Sequence, residues 1–444
     1  MLSPSAALAR ILRSLRDVAP LPPERVALSD ALGRSLAEDL VAARALPPFG
    51  DAQMDGYALR ASDAPGPGAS LPVAFEVFAG DAPGRTLPPG ACARVFTGAP
   101  LPSGADCVEM QEQVARRGRH VRFRRPAERG RFVRAAGSDL AAGSIALRRG
   151  AAVDPGTIGL AAALGEPELP VHRRPRVGVL ATGDEIAPLG RAQRPGAIPD
   201  SNTHALAAAV ADAGAVPIVL PLARDDRASL RRALATARGL DALVTTGGVS
   251  VGARDLVRPA LREAGARLDF WRVAMRPGKP FAFGRLGRLL VFCLPGNPAS
   301  SLVTFELFAR PALRALQGLE GAGRASVAAR LARAEEKPPD LAVYLRGLLR
   351  ERGGGLWFER LPEQRSGSVP SMAGLGALAL LPAGVARLRR GAVVRALVLR
   401  PPSAGARVPA VAPRRRRVGA PPRRRAAAAL SRAPRPRPSA GPKT

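Results

Sequence analysis

Cysteine, histidine, lysine and aromatic residues are all scarce in this chain, and each scarcity removes a class of function. Three cysteines in 444 residues (Cys92, Cys107 and Cys293) form no C-x-x-C pair. A sparse, odd set makes no disulfide framework and fits a reducing compartment, so a cytoplasmic location is expected. Three histidines, His120, His172 and His204, are too scattered for a zinc site or a catalytic triad. Aromatic residues are 4% of the chain, and the folded part lacks the basic-aromatic interleaving of a nucleic-acid binder, so no specific nucleic-acid partner is expected. No run approaches the roughly 18–20 apolar residues of a membrane helix. Nor does the N-terminal stretch show the apolar core and small-residue cleavage site of a secretory signal.

Arginine is what the chain has in excess. The formal charge is +31, of which 12 charges fall in residues 401–444, where eleven arginines and one lysine meet no acidic residue. That Pro/Arg/Ala-rich tail reads as low-complexity and disordered. The other 19 charges are spread over 400 residues and describe a soluble protein with biased arginine usage. Length and a 46% hydrophobic content predict two to four domains.

The clearest unit is 171–316, where apolar strands at Arg176–Ala181, Val216–Leu222, Asp241–Thr246 and Leu289–Leu294 alternate with helical runs. Such alternation implies a parallel sheet covered on both faces, with ligands beyond the carboxyl ends of the strands. Asp200-Ser201-Asn202 reads as an N-cap for the run that follows. Residues 1–170 read as composite, helical at about 5–18 and 29–41, with a β-rich insertion at about 45–140. Residues 325–400 alternate short apolar runs with turn residues, the pattern of a small β-barrel. The expected fold class is therefore multidomain α/β. It has a central three-layer α/β parallel-sheet domain, α+β and β-rich N-terminal domains, and a small C-terminal β-barrel.

The chemically suggestive residues collect at the strand ends. Asp184 and Glu185, Asp225 and Asp226, and Asp255 follow successive strands or the loop after them. Hard oxygens gathered beside a phosphate site are what Mg²⁺ requires. The Gly247–Gly252 turn and the start of the helix after Pro295-Gly296-Asn297-Pro298 each offer backbone amides to an anion. In Arg276-Pro277-Gly278-Lys279-Pro280, two cations are held by prolines around a glycine, which suits an oxyanion. Lys279 is one of only two lysines before residue 340, so the ammonium itself is marked. Taken alone, the residues support a Mg²⁺-assisted, phosphate-handling α/β enzyme.

In order, PPFGDAQMDGYALRASD, FTGAPLPSGAD, TGDE, DSNTHAL, RDD, TTGGVSVGARD, RPGKPFAFG and LPGNPASS resemble the MoeA family, which includes the gephyrin E domain. The resemblance covers about residues 1–400. It implies a molybdopterin molybdenumtransferase: adenylyl-molybdopterin and molybdate are the substrates, Mg²⁺ is the cofactor, and molybdenum cofactor and AMP are the products. It also implies a homodimer with the cleft between the central domain of one subunit and N-terminal parts of the other. Contact with a molybdopterin adenylyltransferase and with molybdoenzyme chaperones would follow. By motif, Asp55, Thr97 and Asp139 belong to the cleft from the N-terminal side. Glu185, Asp225 and Asp255 form the acidic, metal-binding set, with Asp255 the expected base. Thr182, Gly247, Gly248, Ser250 and Asn297 handle nucleotide or pterin phosphate. Arg276, Lys279, Ser300, Arg346 and Ser371 form the molybdate pocket.

Three positions depart from the family pattern. Arg276 replaces the first lysine of K-P-G-K-P, Gly50-Asp51-Ala52-Gln53 precedes MDGYA in place of Asp-Asn-Ser-Ala, and Glu109 stands at a usually apolar position. Two alternative functions share the central fold, the adenylyltransferase step and a non-catalytic gephyrin-like scaffold.

Overall fold

A computed structural model describes residues 1–190, 195–249, 256–319, 321 and 323–401. Its centre is a six-stranded sheet in the order Val216–Val219, Arg176–Ala181, Ala242–Thr246, Leu289–Leu294, Ala282–Leu286 and Arg267–Trp271. The first four strands run parallel, and the last two close the far edge as antiparallel neighbours. Val177, Val179, Leu243, Val244, Leu290 and Val291 are fully buried, as strands covered on both faces must be. One face packs on Leu206, Val210, Phe305 and Phe308, the other on Leu230, Leu234, Val257 and Leu261. The three-layer expectation holds, with an antiparallel edge added.

The N-terminal helix Pro4–Arg13 also joins this centre. Ser3 caps it, its Oγ accepting the Ala6 N–H, and Ala7, Ile11 and Leu15 insert into the central core. Burying Ile11 and Leu15 contributes about 1.5–3 kcal/mol each. By contrast, the expected helix at 29–41 is only the turn Leu28–Ala31. Gly33 at φ +75° ends it, and the chain then runs extended, with Leu36 bridged to Val171. Non-local pairing wins there over a helical apolar period.

A hydrogen bond from Leu46 N–H to the Leu140 carbonyl closes the neck of the intervening segment. That segment carries the six-stranded sheet containing Gly56–Leu59, Cys92–Val95 and Cys107–Met110. Glu109, on this sheet, is fully buried and pairs with Arg125 at 2.9 Å and Arg131 at 3.7 Å. Its strand is the edge of the sheet, and the basic neighbours compensate a charge that is nevertheless buried.

In the C-terminal region, Ser326–Leu331, Ala342–Arg352, Gly355–Arg360, Ala377–Leu381 and Val393–Val398 close into a five-stranded barrel. A two-residue strand, Met275–Arg276, leaves the central unit and pairs in parallel with Ala342–Val343 of that barrel. The helical run 298–316 contains a π segment, Phe305–Ala309. Arg310, 2% exposed, is held there by Glu306 and Asp212, with Arg324 joining the same two carboxylates. This network ties the run to the helix Asn202–Asp212 and fixes the direction in which the start of the run, at Asn297, faces.

Candidate active site

A cleft of about 830 Å³ opens beyond the carboxyl ends of the parallel strands, lined by the turns that follow Ala181, Thr246 and Leu294. Its glycines are forced by geometry. Gly247 has φ +98°, and a Cβ there would lie 2.5 Å from the Thr182 carbonyl oxygen. Gly248 follows at φ +62° against Val257. Only glycine brings this turn so close to its neighbour. The Thr182 hydroxyl is buried beside these glycines and has no hydrogen-bond partner among the described residues. A buried, unsatisfied hydroxyl costs about 1–3 kcal/mol, and a ligand oxygen would recover that.

Several hydrogen bonds hold the turns together. Asn202 Nδ2 donates to Thr246 Oγ1 at 2.9 Å and to the Gly296 carbonyl at 2.7 Å. Thr246 Oγ1 donates in turn to the Pro295 carbonyl at 3.2 Å. Trp271 Nε1 donates to the Val249 carbonyl at 3.2 Å, while the Arg258 guanidinium lies 3.6 Å from the indole centroid. The indole thus braces the glycine turn from the far edge of the sheet. Asn202 is a cleft-lining residue that the sequence reading had as part of a cap. The capping bond comes from Asp200, whose Oδ1 accepts the Thr203 N–H, which leaves the Asn202 amide free to cross the cleft floor.

Glu185 and Asp225 both line the cleft, and Asp200 joins them. Asp226 does not, because its Oδ1 caps the following helix by accepting the Ser229 N–H at 2.7 Å. Asp255 and Ser250 lie outside the described residues. Among the described residues no group of three or more His, Cys, Asp or Glu could hold a metal. Mg²⁺ needs fewer, since it keeps waters and takes one or two carboxylates plus substrate phosphate oxygens. The pair Glu185 and Asp225, in a cleft with anion-holding turns, suits it on that ground.

Asn297 sits at the start of the helix Pro298–Thr304 without capping it. Its Nδ2 instead donates to Ser366 Oγ at 3.1 Å, on the barrel segment whose Gly367 and Val369 line the cleft. Ser300 is buried at 4% and is not part of the cleft lining. Lys279 and Arg276 are exposed, and among the described residues neither side chain makes an ion pair or hydrogen bond. Lys279 adjoins Pro280, which lines the cleft. Gly278 (φ +107°) lets this loop close on Thr304.

Arg346 and Ser371 do come together, but not as open ligands. Arg346 is fully buried, with Nε donating to Ser371 Oγ at 3.0 Å and Nη2 to the Arg365 carbonyl at 3.1 Å. Burial pushes its guanidinium down to about 10, and its Nη1 has no partner. The pair sits beneath 363–371, and neither residue is in the lining of this cleft. Spacing gave the contact but could not give the burial.

The N-terminal set stands apart from this cleft. Asp55 Oδ1 accepts the Thr97 N–H at 2.8 Å and hydroxyl at 2.9 Å, which holds its carboxyl below the usual carboxylate range. Asp139 lies 3.5 Å from Arg134, which also forks onto the buried Asp51. Neither Asp55, Thr97 nor Asp139 lines the cleft of its own chain. The cysteines are all buried, their thiols pushed up to about 12, and are no nucleophiles.

Family models match nearly the whole described chain. They are the MoeA N-terminal region (domains I and II) over residues 2–165, the probable molybdopterin-binding domain over 178–315, and the MoeA C-terminal region (domain IV) over 328–399. Molybdopterin molybdenumtransferase 2 of Mycobacterium tuberculosis is 41% identical, covering 75% of this chain and 84% of its own length. The molybdopterin molybdenumtransferase of Bacillus subtilis is 34% identical, covering 85% and 90%. Among solved structures, a molybdopterin biosynthesis MoeA protein of Pyrococcus horikoshii superposes with a TM-score of 0.76 at 31% identity. That match covers 88% of this chain and 98% of the other.

Proposed function

This chain belongs to the MoeA family, and on that premise we propose that it is a molybdopterin molybdenumtransferase, converting adenylyl-molybdopterin and molybdate to molybdenum cofactor and AMP. The observation that carries the reading is the carboxyl-end cleft, where the Thr182, Gly247 and Gly248 cradle meets the carboxylates Glu185 and Asp225. In this reading the cradle and the Asn297 turn hold the phosphate of the adenylyl group. Mg²⁺ on Glu185 and Asp225 would supply charge neutralisation as AMP leaves. Asp255, which lies outside the described residues, would orient or deprotonate the attacking oxygen. Lys279 and Arg276, which have no side-chain partner among the described residues, receive molybdate, a tetrahedral dianion that needs cations. Arg346 and Ser371 act from behind, by fixing the 363–371 segment.

The test is to incubate purified protein with adenylyl-molybdopterin, with and without molybdate, and in parallel with ATP and molybdopterin. Molybdate-dependent AMP release is expected. Adenylylation of molybdopterin in the second arm would mean the adenylyltransferase step, and inactivity in both would mean a scaffold.

The isolation of Asp55, Thr97 and Asp139 from their own cleft supports a second assignment, that they serve the cleft of a partner copy in a homodimer. Mixing inactive Asp55→Ala and Glu185→Ala chains under exchange conditions would then restore part of the turnover. A monomer in light scattering would overturn it.

A further inference from the structure

A second concavity, of about 930 Å³, is at the opposite end of the central sheet from the cleft. The residues that precede or open three parallel strands line it, among them Arg173, Asp241 and Leu289, together with the end of the helix Arg227–Thr236. Strands of five or six residues separate it from the cleft by roughly 15–20 Å.

Its floor is aliphatic, lined by the half-buried Leu240 and by Leu289 and Leu316, which are largely buried beneath it. Its rim carries four exposed arginines from three segments: Arg16, Arg288, and the pair Arg231 and Arg238 on and just after the helix Arg227–Thr236. Among the described residues none of these four guanidiniums makes a hydrogen bond or ion pair. The groove's two carboxylates are already engaged. Asp241 takes both terminal nitrogens of Arg173 at 2.7 Å, and Asp17 takes Arg285 at 3.0 Å. With five arginines against two aspartates in its lining, and Arg288 only partly offset by Asp17, the groove presents net positive charge around an apolar floor.

Three occupants can be weighed on charge. The tail 401–444 carries twelve positive charges and would be repelled. A second copy packed on this face about a two-fold axis would set arginine rim against arginine rim. A small anion would want buried, convergent donors, whereas these guanidiniums are exposed and ring a wide groove. An apolar floor inside a charged rim is the anatomy of a protein interface.

We propose that this groove docks an acidic segment of a partner protein, with an aliphatic side chain seated on the leucine floor and carboxylates on the four arginines. Docking there leaves the cleft open, so a partner could stay bound through turnover. The proposal does not depend on which reaction the cleft performs.

The probe is a fluorescein-labelled peptide of alternating glutamate and leucine carrying a photo-crosslinker, used with the full chain at physiological salt. Crosslinks are expected within 231–240 and 286–290. The double reversal Arg231→Glu/Arg238→Glu should weaken binding about tenfold or more, with melting temperature and AMP release unchanged. A peptide with serine for leucine should also bind more weakly. Crosslinks confined to 401–444 would overturn the proposal, since the tail would then be the binder. So would an affinity within about twofold of wild type after charge reversal. Displacement by inorganic pyrophosphate as effective as by the leucine peptide would make the groove a plain anion site, and overturn it too.

Discussion

At the carboxyl ends of the central strands the lining is turns, glycines and carboxylates, whereas at the amino ends it is leucines and guanidiniums. The difference shows how each end is built. At the carboxyl ends the backbone shapes the lining, because Gly247 and Gly248 lie close against the buried Thr182 hydroxyl. At the amino ends side chains of separate segments converge, and the backbone is occupied by the sheet and helix. Among the described residues the acidic end has no cation in its lining, and in the proposed reading a dianion there would rely on the loop carrying Arg276 and Lys279.

If that contrast is right, damage at the two ends separates turnover from stability. The largest effect is expected from Gly247→Val, which forces a β-branched residue to φ +98° against Thr182. Turnover should fall about 100-fold or more, read as AMP release. An active Gly247→Val enzyme would break the comparison. Next is Lys279→Ala, which removes a charged donor. The KM for molybdate should rise about 10–100-fold while AMP binding stays constant, matching about 1.5–3 kcal/mol for a charge-assisted bond. A rise in the AMP dissociation constant instead would move Lys279 to the phosphate. Smallest for turnover is Asp241→Ala, at the amino end. It removes the acceptor for Arg173 and for the Arg176 N–H, and should cost about 1–3 kcal/mol in urea unfolding with turnover unchanged.

Much of the carboxyl end was legible in the sequence because its chemistry is local. Thr182, Gly247, Gly248 and Asn297 lie beside the strands that place them, so the apolar runs located them. Asn202 was missed because an Asn after Asp-Ser reads as a helix cap, and only the fold shows that Asp200 takes that task. Ser300 and Arg346 were found by motif, but their burial follows from the packing of the 298–316 helix and the barrel, which no spacing encodes. Residues 29–41 misled for a related reason: a helical period was overruled by pairing with a strand more than a hundred residues away. The amino-end groove left no sequence trace, since Arg231 to Arg238 reads as an ordinary amphipathic helix.

The pairing of Met275–Arg276 with Ala342–Val343 bears on how the chain can be cut. Although family models divide it near residue 320, the barrel is not a detachable appendix. A shortened protein ending there would leave a raw strand edge at Met275, next to Arg276 and Lys279, the two cations proposed to receive molybdate. Grafting a foreign barrel would succeed only if it supplied the same hydrogen-bonding register, so the last module and the proposed cation loop are bound to be inherited together.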